Sequence, residues 1–394
     1  MNVTISPGML RGSVKAIASK SQAHRALICA AFAERQTKLT LDETNEDIRA
    51  TVDCLRSLGA DIREETWGYT VIPVDRLPEK AILRCRESGS TLRFLLPVVG
   101  ALGVECDFIL EGRLAERPLS PLWERMTEKG CELSLDGNRL HCRGMLQKGS
   151  YTIAGNVSSQ FVSGLLFAGA AAGGIAVQIQ GVLESRPYAD MTVAVLRQFG
   201  VECDHFCPRG KLCSPGEIAI EGDWSNAAFF LTAGALGNDV TVMGLNDRSC
   251  QGDRAVTSLL QQLEYPTVIS AGDVPDLVPI LAVAAACRKG AVFTGIRRLR
   301  LKESDRVESV CAMITALGGK AESDENSLTV SPAPLIGGTV NSFGDHRIAM
   351  AAAIAATVCT QPVTILGAGA VNKSYPRFWA DYSQLGGNYE QYLR

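Results

Sequence analysis

The segment Leu-Lys-Glu-Ser-Asp-Arg at 301–306 places two cations and two carboxylates directly ahead of a helical stretch at 307–317. The spacing predicts that Lys302, Glu303 and Arg306 lie in the first turn of that helix. Cations are unfavourable at a helix N-terminus, where the backbone dipole and the free N–H groups favour negative charge. A bound anion would offset the mismatch. A solvated helix cap with internal Lys–Glu pairing is the alternative interpretation.

Similar polar segments recur ahead of other predicted helices. Five helical stretches contain almost only small and apolar residues, which predicts that they are buried on every side: 26–33, 161–172, 227–236, 277–287 and 348–358. Polar segments, rich in Ser, Lys, Arg, Gln and Asp, occur at 19–25, 88–93, 156–160, 275–276 and 344–347. If the buried helices run parallel, their N-termini meet at one surface. The pattern therefore predicts a site for anions there.

A second set of helices reveals an internal repeat. Each of these amphipathic helices ends in a glycine suited to a left-handed C-terminal cap, and the helices lie at 50–59, 122–130, 191–200, 307–318 and 378–386. The glycines recur about 70 residues apart within each half of the chain, which indicates one structural unit used several times. One copy is expected to be truncated near 259–273, where 261–266 replaces the glycine and the strand pair.

The composition bounds the class of protein. With 394 residues, two domains are the natural expectation, and 46% hydrophobic and 21% charged residues are typical of soluble globular proteins. A net charge of −3 argues against a nucleic-acid partner. Thirteen scattered cysteines favour reduced thiols in a cytosol-like compartment. No signal peptide is expected. No membrane span is expected either, because the apolar stretch at 161–177 is interrupted by glycines.

A cluster of metal-ligand residues is the alternative for one region. Cys203, His205, Cys207 and Cys213 offer four zinc ligands, but their spacing does not match a zinc finger or ribbon. We therefore expect no metal.

Taken together and in order, the polar motifs resemble those of the 5-enolpyruvylshikimate-3-phosphate synthase family. The resemblance covers nearly the whole chain and rests on eight motifs: Lys20-Ser21 with Arg25, the turn 88–93, 116–118, 158–160, 185–188, 302–306, 345–347 and Lys373. It implies an α/β class and the two-domain enolpyruvyl transferase fold, an inside-out α/β barrel of six βαβαββ repeats. One domain would combine 1–19 with 221–394, the other would be 20–220, and the active site would lie in the cleft between them.

The resemblance also implies an activity and its substrates. The family transfers the enolpyruvyl group of phosphoenolpyruvate to the 5-hydroxyl of shikimate 3-phosphate. Eight cations suit two substrates that each carry a phosphate and a carboxylate: Lys20, Arg25, Arg93, Arg117, Lys302, Arg306, Arg347 and Lys373. Shikimate 3-phosphate would contact Lys20, Ser21, Arg25, Ser158, Ser159, Gln160, Ser185, Asp276 and Lys302. Phosphoenolpyruvate would contact Lys20, Gly89, Arg117, Gln160, Arg306, Arg347 and Lys373.

Three residues match the family's proton-transfer groups. Asp276 is expected to act as base toward the 5-hydroxyl, and Glu303 with Lys20 to exchange a proton with the methylene carbon. For Asp276 the alternative is a plain helix N-cap after Pro275, and Ser158 and Ser159 could likewise be only helix caps. Neither a metal nor an organic cofactor is implied. The expected protein is a cytoplasmic monomer that acts on small molecules without a membrane or nucleic-acid partner.

Two rival functions remain open. The enolpyruvyl transferase that acts on UDP-N-acetylglucosamine has the same fold, but it usually carries a reactive cysteine in the loop that corresponds to 111–116, where this chain has none. A catalytically silent anion-binding homologue would not need Lys20, Asp276 and Glu303 together. Two positions depart from the family pattern: Glu87, where asparagine is usual, and Arg298, where a shorter polar residue is common.

Overall fold

The computed structural model describes residues 1–392. The chain packs as two compact units. The terminal unit combines Met1–Ile17 with the chain from Gly222 onward, and the central unit is Ala18–Glu221. Each unit has its own hydrophobic core.

The strands are short, three to seven residues each. In chain order they are β1 (Asn2–Ile5), β2 (Arg11–Lys15), β3 (Thr37–Thr40), β4 (Asp61–Glu65), β5 (Gly68–Ile72), β6 (Lys80–Arg86), β7 (Glu105–Leu110), β8 (Cys131–Asp136), β9 (Arg139–Gly144), β10 (Gly149–Ala154), β11 (Ile175–Gln180), β12 (Glu202–Asp204), β13 (Cys207–Arg209), β14 (Glu217–Ala219), β15 (Asp239–Met243), β16 (Thr267–Ser270), β17 (Ala291–Thr294), β18 (Lys320–Ser323), β19 (Ser327–Ser331), β20 (Gly338–Asn341), β21 (Val363–Leu366) and β22 (Tyr389–Tyr392).

The α-helices alternate with these strands. They are α1 (Lys20–Ala31), α2 (Glu46–Ser57), α3 (Gly89–Leu102), α4 (Leu122–Glu128), α5 (Ser159–Ala172), α6 (Arg186–Gln198), α7 (Trp224–Ala235), α8 (Val256–Gln262), α9 (Val278–Cys287), α10 (Arg306–Ala316), α11 (His346–Ala356) and α12 (Phe378–Gln384). Short 3₁₀ helices occur at Gly112–Glu116, Gly252–Ala255, Arg297–Leu301 and Ala368–Lys373.

One sheet pattern recurs in both units. In the central unit, β6 and β7 pair in parallel, and the hairpin β8–β9 adds antiparallel strands in the order β6-β7-β9-β8. The orders β14-β3-β5-β4, β16-β17-β19-β18 and β20-β21-β1-β22 repeat this arrangement. A fifth copy is split into the pairs β10-β11 and β12-β13. These are the βαβαββ repeats that the family resemblance implies.

The sixth copy is the truncated one. It consists of the parallel pair β2-β15 with α7 and α8, and the next strand along the chain, β16, already belongs to the following sheet. The predicted lack of strands in this repeat is therefore confirmed within residues 1–392. Helix α8, Val256–Gln262, comes directly before this gap.

The glycines behave as the repeat predicts. All five have positive φ: Gly59 (105°), Gly130 (103°), Gly200 (75°), Gly318 (87°) and Gly386 (89°). Each follows the end of an amphipathic helix, where a residue with a side chain would be strained.

The five predicted buried helices are all present, but the set was incomplete. Helix α3 is also buried along nearly its whole length, although its polar entrance was the only part recognised in the sequence. Pro97 lies inside this helix, and proline normally disfavours a helix interior. Sequence reasoning therefore found where α3 begins but not that it continues to Leu102.

Arg288 ties the helices of the truncated repeat together. Its guanidinium donates to the carbonyl oxygens of Ala235 at the end of α7 and Leu260 near the end of α8, at 2.5 Å each. It also pairs with Glu264 at 2.7 Å, and its side chain is only 15% exposed. A cation at two helix C-termini satisfies carbonyls that the helices leave open.

We expect Arg288→Met to lower the free energy of unfolding by about 2 kcal/mol, because it leaves two carbonyl oxygens without their charged donor. Urea denaturation of both proteins measures the change. Arg297→Met is the matched control, since Arg297 is 68% exposed and pairs with an exposed carboxylate. Equal losses in the two variants would contradict the role given to Arg288.

Candidate active site

Asp276 is the centre of a charged cluster in the terminal unit. It precedes α9, and its carboxylate accepts hydrogen bonds from Arg306 Nη1 at 2.7 Å and from Arg347 Nη2 at 2.9 Å. Lys302 Nζ lies 3.6 Å from the same carboxylate. The three cations come from the start of α10, the start of α11 and the loop before α10. Sequence reasoning grouped these residues, and the structure brings them together.

Arg306 is enclosed by carboxylates. Its side chain is 1% exposed, and besides Asp276 it donates to Asp345 Oδ2 at 3.0 Å and to Glu303 Oε2 at 2.7 Å. Burial alone would lower the pKa of Arg306, but Asp345, Glu303 and Asp276 outweigh burial and raise it. The guanidinium therefore stays charged in a buried position.

Asp345 holds two of these cations in place. One carboxylate oxygen caps α11 by accepting from the Arg347 backbone N–H at 2.9 Å, and the other accepts from Arg306 and from Ser304 Oγ. Asp345 is fully buried. The sequence motif contained this residue, but it was not predicted as part of the site.

The helix end at 301–306 differs from the prediction. Helix α10 begins at Arg306, and Asp305 is its N-cap, accepting from the backbone N–H groups of Val307 and Glu308. Lys302 and Glu303 therefore lie in the preceding loop, and placing them in the first helical turn was wrong. The chain's own carboxylate satisfies these N–H groups, so this helix end needs no bound anion.

The pKa values of Asp276 and Lys302 are both lowered, but for different reasons. Burial would raise the pKa of Asp276, but the charges of Arg347, Lys302 and Arg306 dominate and hold it well below its usual range. Burial lowers the pKa of Lys302 to about 8; Asp276 opposes that shift, and Arg306 and Arg298 reinforce it. Arg298, one of the two departures from the family pattern, thus acts electrostatically on Lys302.

Lys373 belongs to another loop of the terminal unit. It ends the 3₁₀ helix Ala368–Lys373, and its Nζ donates to the carbonyl oxygen of Gly344, just ahead of α11, at 2.9 Å. The next residue, Ser374, is buried and bonds to Asn226 at the start of α7. Lys373 is thereby fixed beside the α11 entrance.

The central unit carries a second set of cations. Lys20, at the start of α1, pairs with Asp47 in the first turn of α2 at 2.9 Å. Arg25, one turn later, donates to Thr192 Oγ1 at 2.8 Å and to the carbonyl oxygens of Ser21 (2.6 Å) and Tyr188 (2.8 Å). These bonds orient Arg25 rigidly between α1 and α6.

Two guanidinium groups converge on Gly89, at the start of α3. A Cβ at this glycine would lie 2.6 Å from Arg117 Nη1 and 2.7 Å from Arg93 Nη1. Gln160 Oε1 accepts from Arg93 at 3.2 Å, and Pro118 O accepts from its other arm. Within residues 1–392, Arg117 makes no side-chain hydrogen bond or ion pair, and its Nε is buried. We call Gly89, Arg93, Arg117 and Gln160 the Gly89 cradle. In it, the guanidinium groups of Arg93 and Arg117 lie beside the backbone of Gly89.

The predicted serines lie at two helix starts. Ser158 caps α5, because its hydroxyl oxygen accepts from the Gln160 N–H at 3.3 Å. Ser159 is 3% exposed. Ser185 precedes α6 in a left-handed conformation, with φ of 53°. A non-glycine residue in that region is strained, and such strain concentrates at functional sites.

The comparisons with known proteins decide the family. The family model described as EPSP synthase (3-phosphoshikimate 1-carboxyvinyltransferase) matches residues 5–382. The chain belongs to this family. A 3-phosphoshikimate 1-carboxyvinyltransferase from Clostridium kluyveri is 38% identical across 99% of this chain and 98% of its own length. The same enzyme from Clostridium acetobutylicum is 36% identical, with the same coverage. The solved EPSP synthase of Acinetobacter baumannii, 24% identical, has a TM-score of 0.78 over 99% of both chains, which shows a shared fold.

The resemblance seen in the sequence is thus confirmed, and so is the enolpyruvyl transferase fold of repeated units. The UDP-N-acetylglucosamine alternative is not favoured. The assignment of single residues to substrates stays a prediction.

Other expectations concern metals, membranes and Glu87. Among residues 1–392, no group of three or more His, Cys, Asp or Glu side chains is arranged to hold a metal ion. In the same range, no helix is long and apolar enough to cross a membrane. Glu87 packs beside the loop that carries Arg117, since a Cβ at Gly112 would lie 2.6 Å from its carboxyl carbon.

Proposed function

We propose that the protein transfers the enolpyruvyl group of phosphoenolpyruvate to the 5-hydroxyl of shikimate 3-phosphate and releases inorganic phosphate. The observation that carries the proposal is the Gly89 cradle, in which Arg117 has no carboxylate partner among the described residues, in a chain that matches the EPSP synthase family over 5–382. A guanidinium pair of this kind suits a phosphate or a carboxylate. Asp276, ringed by cations, supplies a carboxylate for the chemistry.

The reaction divides into addition and elimination. In the addition, the 5-hydroxyl oxygen bonds to C2 of phosphoenolpyruvate, loses its proton, and the methylene carbon C3 gains one. In the elimination, the C2–O bond to phosphate breaks while C3 gives up a proton and the double bond reforms. We assign the first deprotonation to Asp276 and the exchange at C3 to Glu303 with Lys20, since general acid–base work requires titratable groups at the reacting atoms.

Each substrate has its own group of contacts in this proposal. Phosphoenolpyruvate takes the Gly89 cradle with Lys20, Arg306, Arg347 and Lys373. Shikimate 3-phosphate takes Lys20, Ser21, Arg25, Ser158, Ser159, Gln160, Ser185 and Lys302, with its 5-hydroxyl at Asp276. The anionic groups of both substrates replace protein carboxylates as partners of the buried cations. The binding energy of these groups thereby orients the reacting atoms.

The proposal includes a cytoplasmic location and a monomeric state. All thirteen cysteines are free thiols, as is usual for proteins of a reducing compartment. Sedimentation of the purified protein tests the monomeric state.

Phosphate release tests the proposed reaction. With phosphoenolpyruvate and shikimate 3-phosphate we expect one phosphate to be released for each 5-enolpyruvylshikimate 3-phosphate formed. A coupled assay measures the phosphate, and mass spectrometry measures the organic product. UDP-N-acetylglucosamine in place of shikimate 3-phosphate is the matched control and should release none. Phosphate release with UDP-N-acetylglucosamine as the acceptor, or no phosphate release with either acceptor, would refute the proposal.

The pKa of Lys302 predicts how shikimate 3-phosphate affinity depends on pH. The anion binds best to protonated Lys302, which loses its proton near pH 8 in the free protein. Affinity should therefore fall as the pH rises through 8, by about tenfold between pH 7 and pH 9. The ligand's phosphate is already a dianion over this range, because its second pKa is near 6. Calorimetric titration across this range measures the dependence.

Lys302→Arg is the control for this prediction. Arginine stays protonated throughout this range, so the variant should bind with an affinity that varies little with pH. The same slope in both proteins would show that another group causes the effect.

A further inference from the structure

A buried chain of hydrogen bonds joins three helices of the central unit. His24 Nδ1 lies 2.7 Å from Thr51 Oγ1, Thr51 Oγ1 lies 2.7 Å from Thr91 Oγ1, and Thr91 Oγ1 lies 2.7 Å from Ser88 Oγ. All four residues are fully buried. They belong to α1, α2 and the first turn of α3 with its cap. The substrate assignments above use none of them.

The hydrogen bonds of this buried chain all donate in one direction, from His24 toward Ser88. The Thr91 hydroxyl donates to Ser88 Oγ, so its oxygen is left to accept from Thr51. The Thr51 proton is thereby used, and His24 Nδ1–H must donate to Thr51. Burial, with Lys20 and Arg25 nearby, holds the pKa of His24 well below its usual range, so the ring is neutral. Its Nε2 is then an unprotonated acceptor, and it has no hydrogen-bond partner among residues 1–392.

Both ends of the chain lie beside the proposed site. His24 follows Lys20 by one helical turn on α1, and Thr51 follows Asp47 by one turn on α2, so Lys20–Asp47 and His24–Thr51 are successive contacts between the same helix faces. At the other end, Ser88 caps α3 by accepting from the Thr91 N–H. The residue after that cap is Gly89, where the guanidiniums of Arg93 and Arg117 converge.

The hydrogen bonds of a buried polar chain rigidify the elements that they join, whereas apolar side chains of similar size would pack there without fixing one arrangement. Thr51 is one of its two inner members and the only member on α2. Without its hydroxyl, His24 loses its acceptor and Thr91 loses its donor. The contact between α1 and α2 that places Lys20, and the start of α3 that forms the cradle, would then be free to shift separately.

We propose that Thr51 is a positioning residue that fixes Lys20 and the Gly89 cradle relative to each other through His24 and Thr91. The kinetic part of this inference rests on the proposed function, and the spectroscopic part below does not. Thr51 touches no substrate in this assignment and acts only through its two partners.

Kinetics of matched variants are the first test. Thr51→Val keeps the shape and removes the hydroxyl; we expect kcat/KM for phosphoenolpyruvate to fall about 10- to 100-fold, with the KM for shikimate 3-phosphate little changed. Thr51→Ser restores the hydroxyl and should recover most of the activity. Thr232→Val is the control, because Thr232 is also a fully buried helical threonine but its hydroxyl has no partner in the described chain. Equal losses in Thr51→Val and Thr232→Val, or no recovery in Thr51→Ser, would overturn the proposal.

A double-mutant cycle separates a chain from independent contacts. If Thr51 and Thr91 act together, Thr51→Val with Thr91→Val should lose about as much activity as the worse single variant. Losses that multiply would mean that the two hydroxyls act separately, and the proposal would fail.

The imidazole ¹⁵N signal of His24 tests the inference without turnover, and the protein has only four histidines to assign. In the wild type we expect a neutral ring protonated on Nδ1, and a change in that signal when inorganic phosphate is added. Thr51→Val should alter the tautomer and abolish the response to phosphate. An unresponsive wild-type signal, or the same response in Thr51→Val, would refute the coupling. If the wild type responds but does not turn over, the proposed function fails and the chain stands.

Discussion

Asp276→Asn should lower kcat about 10³-fold while weakening phosphoenolpyruvate binding only a few-fold. The variant keeps the shape of the side chain but removes the proposed base, and general base catalysis contributes roughly 10² to 10⁴ to a rate. The amide also meets Arg306 and Arg347 without the charge that they now share. Steady-state kinetics, with phosphoenolpyruvate affinity measured separately by fluorescence titration, distinguishes the two effects.

The environment of Asp276 limits when it can act as a base. Three cations hold its pKa well below the usual range, after outweighing the effect of burial. A carboxylate that is so well stabilised is ionised at every working pH but takes up a proton poorly. Substrate anions that draw Arg306, Arg347 and Lys302 away would raise its basicity at the moment of reaction. As the pH falls to the ordinary pKa of an aspartate, we therefore expect that protonation of Asp276 causes no loss of activity.

Glu325→Gln is the control for this substitution, because Glu325 is 78% exposed and pairs with a surface arginine. It should leave both parameters unchanged. Urea denaturation must show that Asp276→Asn is folded, since removing one partner of a buried ion pair costs about 3 to 5 kcal/mol. Leu277, not Asp276, is the N-cap of α9. If kcat were unaffected in a folded variant, Asp276 would therefore only hold its cations in place and would not be a base.

The repeat and its helices could be predicted because their signals are local. Gly59, Gly130 and Gly200 mark helix ends through a backbone conformation that other residues avoid, and each lies at the position the sequence indicates. The truncated repeat was visible for the same reason, since the missing glycine and hairpin leave a gap at 259–273.

The prediction for 301–306 was wrong because it considered the charges of these residues but not which of them caps the helix. Asp305 lies among four other polar residues, and their charges alone do not show which one ends the loop. Aspartate is a preferred N-cap, and that preference would have placed the helix start at Arg306, where the structure has it.

The partners of the site residues could not be read from one sequence. Asp47 is 27 residues from Lys20, and Asp345 is 39 residues from Arg306. No periodicity links such pairs; they meet because helices from different parts of the repeats pack side by side. The Thr51–Thr91 contact, 40 residues apart, is hidden for the same reason.

Arg117 should be the residue on which phosphoenolpyruvate affinity depends most within the central unit. Arg117→Ala removes a guanidinium that has no carboxylate partner in the described chain and faces Gly89. Charge-assisted hydrogen bonds contribute about 1.5 to 3 kcal/mol each, so we expect the KM for phosphoenolpyruvate to rise about 10- to 100-fold, with kcat changing less. The free protein should lose little stability, because no partner is left unpaired.

Arg113→Ala is the matched control, since Arg113 lies in the 3₁₀ helix that ends just before Arg117 but is 52% exposed and pairs with Glu116 on the surface. Its KM should stay near the wild-type value. Arg117→Lys separates charge from shape: a lysine keeps the charge but loses the two-armed contact, so its KM should lie between those of the wild type and the alanine variant. If Arg113→Ala and Arg117→Ala raised the KM equally, the effect would come from disturbing the loop, and the cradle would not be the anion site.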